Sequence, residues 1–281
     1  MAEANIAELT IPTPDNKRTR SSRLKGIIRG KIADRFQRTP DIGTFHPGVI
    51  EDPEKEILYG DVARELSPKG EGAYKFSPQD WAEWLRRHIS SIQKMPKEVR
   101  TNAGTLMHEF VGGVNDMYEE HLRKGNEFPE RPHIGVELFS DTAGAGDGRI
   151  WIGKDYLLRF ARKPLDTPET ILSPYADKQT IASYGTPKQE VRSTGVHECS
   201  HAQYQQTHPE ELATFEQIFP ENMSQARYDA KPNELHAIRE ELAYVKQKAY
   251  PQQAIDALRK RIAAAENYQL NQTRQTIANE A

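Results

Sequence analysis

Apolar residues recur at helical spacing in several stretches of the chain, and each stretch carries its own start and stop signals. Trp81, Trp84, Leu85 and Ile89 return every three or four positions, which is one face of a 3.6-residue period. Ser77-Pro78-Gln79-Asp80 supplies the start of that helix and Pro96 its break, and a second helix is expected from about Lys97 to Leu122. Thr186-Pro187-Lys188-Gln189 offers a Thr N-cap, Pro at the first helical position and Gln at the third, a capping-box start. The helix launched there is expected to reach about Gln206, where His208-Pro209 ends it. A short run from Glu210 to Phe219 stops at Pro220, and Pro232 opens a further helix. From Gln252 to about Asn279 the chain reads as a final polar helix with Ala254, Leu258, Ile262 and Ala265 inward.

Between the second and third helices the period changes. Residues 134–139 and 149–153 read as two short strands around the glycine-rich stretch Ser140 to Gly148, which predicts an antiparallel hairpin. The fold class expected is therefore α+β: a small antiparallel sheet, the helix opened at Thr186 and a mainly helical C-terminal part. Residues 165–187 are rich in proline and polar groups, a loop long enough to serve as a lid. Gly144 to Gly148 lacks both G-x-G-x-x-G and the Lys-Ser/Thr of a phosphate loop. Asp141 and Asp147 belong to no twelve-residue calcium loop, so the whole stretch reads as a turn.

Residues 16–40 differ from the rest: nine Lys or Arg stand against the single acid Asp34. Leu24, Ile27, Ile28, Ile32 and Phe36 recur there at helical spacing, so a basic amphipathic helix is expected within an extension of residues 1–74, ahead of a domain of residues 75–281. Its candidate partners are an anionic membrane surface or another acidic partner. Overall the chain has 281 residues, 36% hydrophobic, with a formal charge of −3, enough for one sizeable core. It contains no apolar run of membrane-spanning length. Met1 to Ile6 lacks the apolar core of a signal peptide, so cytoplasmic residence is expected. Cys199 is the single cysteine and reads as a small packing residue.

The chemistry concentrates in His197-Glu198-Cys199-Ser200-His201. H-E-x-x-H on a helix puts two imidazoles on one face, about 5–6 Å apart at Cβ, close enough for both to bind one zinc ion at roughly 2.0–2.1 Å. Glu198 is placed to take a proton from water beside that ion, as a general base. Gly195 just before the motif costs helix stability, about 1 kcal/mol relative to Ala, unless another backbone comes close there. His108-Glu109-Phe110-Val111-Gly112 is a near miss with Gly in place of the second His, expected to be a helix surface. A hydrolytic zinc site needs a third protein ligand and one open position, and Glu234 lies in the first turn of the helix opened by Pro232.

In these features the chain resembles the gluzincin group of zinc metallopeptidases, whose H-E-x-x-H is followed on a later helix by a glutamate ligand within E-x-x-A. Glu234-Leu235-His236-Ala237 fits that pattern, and so does Glu240-Glu241-Leu242-Ala243. Glu234 is favoured as third ligand and Glu240 is the runner-up. The resemblance implies a zincin-like fold, one Zn2+ per chain, and hydrolysis of a peptide or protein substrate. It also implies an edge strand above the metal that holds extended substrate, for which Arg149, Ile150, Trp151, Ile152 and Gly153 are the candidates. Tyr244, His236 and Tyr204 are the candidate oxyanion donors. The metzincin extension is absent, with Tyr204 and Thr207 at its positions, and Ile238 stands where thermolysin-like enzymes carry an orienting Asp. The competing expectation is a metal-binding interaction protein that does not turn over substrate and acts through its basic N-terminal helix.

Overall fold

The backbone in the middle of the second long helix, at Phe110 to Val114, packs directly against the motif helix, and this crossing organises the core. The protein is described by a computed structural model that covers residues 57–60, 76–125, 132–138, 140–146, 149–210 and 223–280, all within the unit Phe45–Ala281. The basic stretch 16–40 and nearly all of the run expected at Glu210 to Phe219 lie outside the described residues. Helix α1 (Pro78–His88) starts with a capping box in which Ser77 and Asp80 satisfy each other's backbone N–H at 3.2 and 2.9 Å. A single turn, α2 (Ser90–Gln93), leads to α3 (Lys97–Arg123). The motif helix α5 (Pro187–Thr207) carries the expected box, Thr186 accepting from Gln189 N and the Gln189 amide accepting from Thr186 N.

Helices α3 and α5 meet backbone to backbone. A Cβ added at Gly195 would lie 2.1 Å from the carbonyl oxygen of Phe110, and one at Gly113 would lie 2.0 Å from that of Arg192. Only glycine permits this approach. Phe110, Val111, Val114, Val196 and Cys199 are buried around the crossing, so the near-miss motif at His108 to Gly112 is a packing face and not the helix surface expected. Each such side chain contributes roughly 1.5–3 kcal/mol by burial. Arg192 locks the crossing from its edge, donating to Glu109 and Asp116 on α3 at 2.8 Å each.

The sheet corrects two expectations. Its order is β1 (Ile57–Gly60), β2 (His133–Glu137), β4 (Arg149–Gly153), β3 (Ala143–Gly146). Strands β2 and β4 run parallel, with Ile134 opposite Ile150 and Val136 opposite Ile152, so they do not form the antiparallel hairpin expected. The glycine-rich stretch expected to be a turn supplies β3, antiparallel to β4. Ala-Gly-Ala-Gly has low strand propensity, but Gly144 leaves a space into which Trp151 packs, its Cζ2 standing 2.8 Å from where a Cβ would be. Strand β1, upstream of residue 75, pairs antiparallel with β2. The fold is thus mixed α+β, mostly helical with a small sheet.

Ile134, Val136, Ile150 and Ile152 are at most 2% exposed and seat the sheet on the helices, with α4 (Lys154–Ala161) following β4. The stretch at 165–187 contains a two-stranded ladder, β5 (Ile171–Leu172) with β6 (Ile181–Ser183). The chain ends in α6 (Gln225–Asp229), α7 (Pro232–Gln247) and α8 (Gln252–Glu280). Along α8, Ala254, Leu258 and Ala265 are buried as expected. No helix among the described residues is long and apolar enough to cross a membrane.

Candidate metal centre

Helices α5 and α7 bring His197, His201 and Glu234 to one point. Nε2 of His201 is 3.1 Å from Nε2 of His197, and Glu234 sets one carboxylate oxygen 3.4 Å from His197 Nε2 and the other 3.3 Å from His201 Nε2. Donors at roughly 2.0–2.1 Å from a tetrahedral ion stand about 3.3–3.4 Å from one another, so these spacings are close to those of donors around one metal ion. His201 is 6% and Glu234 4% exposed, and Oε2 of Glu234 is buried without a hydrogen-bond partner. An unpartnered buried carboxylate oxygen is costly, and a cation at the shared point would satisfy it. The three residues form a group that could hold a metal ion.

The charges of the site agree. Burial disfavours the charged form of Glu234, but His201 and His197 outweigh it and hold its carboxyl well below the usual range. Burial likewise opposes charge on His197, yet the carboxylates of Glu234 and Glu241 beside it keep the imidazole well above its ordinary value. The pocket therefore favours positive charge among these donors. Glu198 is 7% exposed; burial raises its carboxyl above the ordinary value, against the pull of His197 and His201, which makes it the stronger base.

Glu241 was not foreseen. Its Oε2 lies 3.1 Å from Nδ1 of His197, a carboxylate behind a candidate ligand histidine that holds the ring in place. Seven residues along a helix return to within about 20° of the starting face, so Glu241 follows Glu234 on the same stripe of α7. Nδ1 of His201 has no partner among the described residues, so the carboxylate supports one histidine of the two. The runner-up ligand Glu240 is turned away by about 120° and faces Lys124 at 3.6 Å. It is not a ligand.

Tyr228, also unforeseen, hydrogen-bonds Glu234 and Tyr175 and stacks on Tyr175 with ring centroids 4.4 Å apart. Burial and the Glu234 charge push its phenol upward, so it remains a neutral donor. Nothing in the sequence pattern marks it, because its contact depends on how α6 folds back on α7.

Tyr244 does not reach the metal centre. It lies about 15 Å further along α7 than Glu234, donating to Asp116 at 2.7 Å and accepting from Arg192 Nε at 2.8 Å. Tyr204 and His236 stay near the centre in an aromatic group with His208, at 5.1 Å from each other and 4.3 Å between Tyr204 and His208. Cys199 is wholly buried and outside the metal group. Arg149 to Gly153 is an interior strand, flanked by β2 and β3, and cannot accept an added strand. The sheet edge on this side is β3, tied to α5 by Gln205, which donates to the Ala145 carbonyl at 3.2 Å one turn after His201. Comparison of the chain with protein-family profiles, with curated proteins and with solved structures finds no match.

Proposed function

We propose that this protein is a zinc metallopeptidase of zincin type, with His197, His201 and Glu234 as ligands of one zinc ion. The observation that carries the reading is the convergence of these three donors at 3.1–3.4 Å beside a buried glutamate of raised basicity. A bound zinc ion supplies Lewis acidity and makes a neighbouring water a nucleophile near neutral pH. Glu198, buried beside the donors, would be the group that accepts a proton from the attacking water and returns it to the leaving amine. Tyr228, in place of Tyr244, would turn its one O–H from Glu234 to the oxygen on which negative charge develops. Glu241 keeps Nδ1–H of His197 engaged, so that Nε2 faces the ion. Strand β3, in place of β4, is the sheet edge nearest the site among the described residues, and it would take extended substrate only where Gln205 releases the Ala145 carbonyl.

The test pairs the wild type with Glu198→Gln. Elemental analysis after dialysis is expected to find one zinc per chain in both. A mixed peptide library read by mass spectrometry is expected to show new termini with the wild type only, with a loss of roughly 10²–10⁴-fold in the variant. Cleavage retained by the variant removes Glu198 as base. Zinc without cleavage in the wild type leaves a metal-binding protein that does not hydrolyse peptides.

A further inference from the structure

Tyr228 reaches Glu234 from a helix of only five residues, α6 (Gln225–Asp229), too short to hold a fixed position by its own hydrogen bonds. What holds it comes from the far end of the chain. Arg261 on α8 donates from Nε and Nη2 to the two oxygens of Asp229, at 2.9 Å each, and Asp229, the neighbour of Tyr228, is 0% exposed. Gln225 donates to the same carboxylate at 2.6 Å and accepts from Ser173 at 2.5 Å, which ties in the segment bearing Tyr175. Gln269, two turns further along α8, donates to the Ala230 carbonyl at 2.7 Å.

A buried ion pair is a poor way to gain stability, because desolvating both charges offsets their attraction and well-packed apolar residues of similar size do as well. A bidentate Arg–carboxylate pair instead fixes direction, which a greasy contact does not. We infer that the Arg261–Asp229 pair is a positioning device of the metal centre, through which α8 sets the Tyr228 hydroxyl against Glu234. Arg261 acts through Tyr228 and does not itself meet substrate. The donor role of Tyr228 rests on the peptidase reading; its placement by Arg261 does not.

The decisive experiment uses full-length protein with Tyr228 replaced by 3-fluorotyrosine, in three backgrounds: wild type, Arg261→Lys, and the double variant Arg261→Met/Asp229→Leu. The double variant removes both charges and so leaves no lone buried ion; Arg261→Lys keeps the charge but not the fork. Zinc alone is the probe, and the 19F resonance of residue 228 is followed as it is added. The resonance is expected to shift on zinc binding in the wild type, to shift by less than half as much in Arg261→Lys, and to stay put in the double variant while zinc per chain remains one. Equal shifts in all three backgrounds overturn the proposal. With a library peptide that the wild type cleaves, kcat in the double variant is expected to fall at least tenfold with KM within threefold; unchanged kcat also overturns it. If the wild type cleaves no peptide, the peptidase reading fails, and the fluorine shifts still decide whether Arg261 places Tyr228.

Discussion

Oε2 of Glu241 lies 3.1 Å from Nδ1 of His197, two helical turns beyond the candidate ligand Glu234 on one stripe of α7. A single helix thus supplies both a donor to the metal point and the group that aims another donor at it. Outer carboxylates of this kind are worth roughly 10–100-fold in metal affinity. Glu241→Ala is expected to keep the fold and weaken zinc by that factor, and Glu241→Gln, which still accepts the Nδ1–H bond, by less. Competition against a chromophoric chelator measures both. An unchanged affinity in Glu241→Ala makes the contact incidental.

Glu234 and Glu240 fit the same sequence pattern, yet only one faces the histidines. Glu234→Ala is expected to drop zinc below one per chain after dialysis. Glu240→Ala is expected to retain it, since that side chain is spent on an exposed pair with Lys124 at 3.6 Å, worth about 0–1 kcal/mol. Elemental analysis of the two variants in parallel is the check, and the reverse result moves the third ligand to Glu240.

The parts of this arrangement legible in the sequence are those fixed by local chemistry. The Thr186–Gln189 box and the prolines at 187 and 232 are satisfied within a turn, so α5 and α7 begin where the residues indicate. The approach of another backbone to Gly195 is likewise foreshadowed by a glycine inside a helical pattern. Non-local pairing decided the rest. Strand β3 exists because Trp151 packs over glycines that have little strand preference of their own, and the parallel register of β2 with β4 is set by burying Ile150 and Ile152. Glu241 carried a readable signal, its seven-residue spacing from Glu234. Tyr228 and Arg261 carried none, since their roles arise from contacts made across the folded chain.

Glu190, on α5 one turn past the cap, is one group that gives this core a pH dependence. Burial raises its carboxyl to about 7, with Glu241 adding to the rise, while a bond from Ser183 and the charges of Arg261 and Arg159 oppose it. Between its ordinary value, 4.5, and about pH 7 the folded protein therefore keeps a proton that the unfolded chain has released. By linkage the contribution of Glu190 to stability falls as pH rises through that window. Glu190→Gln is expected to flatten this decline and to gain about 1–2 kcal/mol over the wild type at pH 8, with no gain at pH 4. Urea midpoints of the two zinc-free proteins across pH 4 to 8 test it, and parallel curves would reject the assignment.

The crossing of α3 and α5 makes a prediction whose sign is unusual. In an ordinary helix interior Gly→Ala stabilises by roughly 0.5–1 kcal/mol. At Gly195 the new methyl would stand 2.1 Å from the Phe110 carbonyl oxygen, and at Gly113 2.0 Å from that of Arg192. Both obstacles are backbone, so neither can turn aside as a side chain could, and the helices must separate. Overpacking of this kind costs about 1–3 kcal/mol or more, enough to outweigh the propensity gain. Gly195→Ala and Gly113→Ala are each expected to lower the urea midpoint, and the double variant to lose less than the sum because the first displacement makes room for the second. Displacing α5 also moves His197, two residues beyond Gly195, away from Glu234 on α7. Zinc affinity is therefore expected to fall together with stability in Gly195→Ala, measured on the fraction that remains folded. A variant that gains stability, as helix propensity alone dictates, or that loses stability while holding zinc at full affinity, would show that this close contact does not set the geometry of the metal centre.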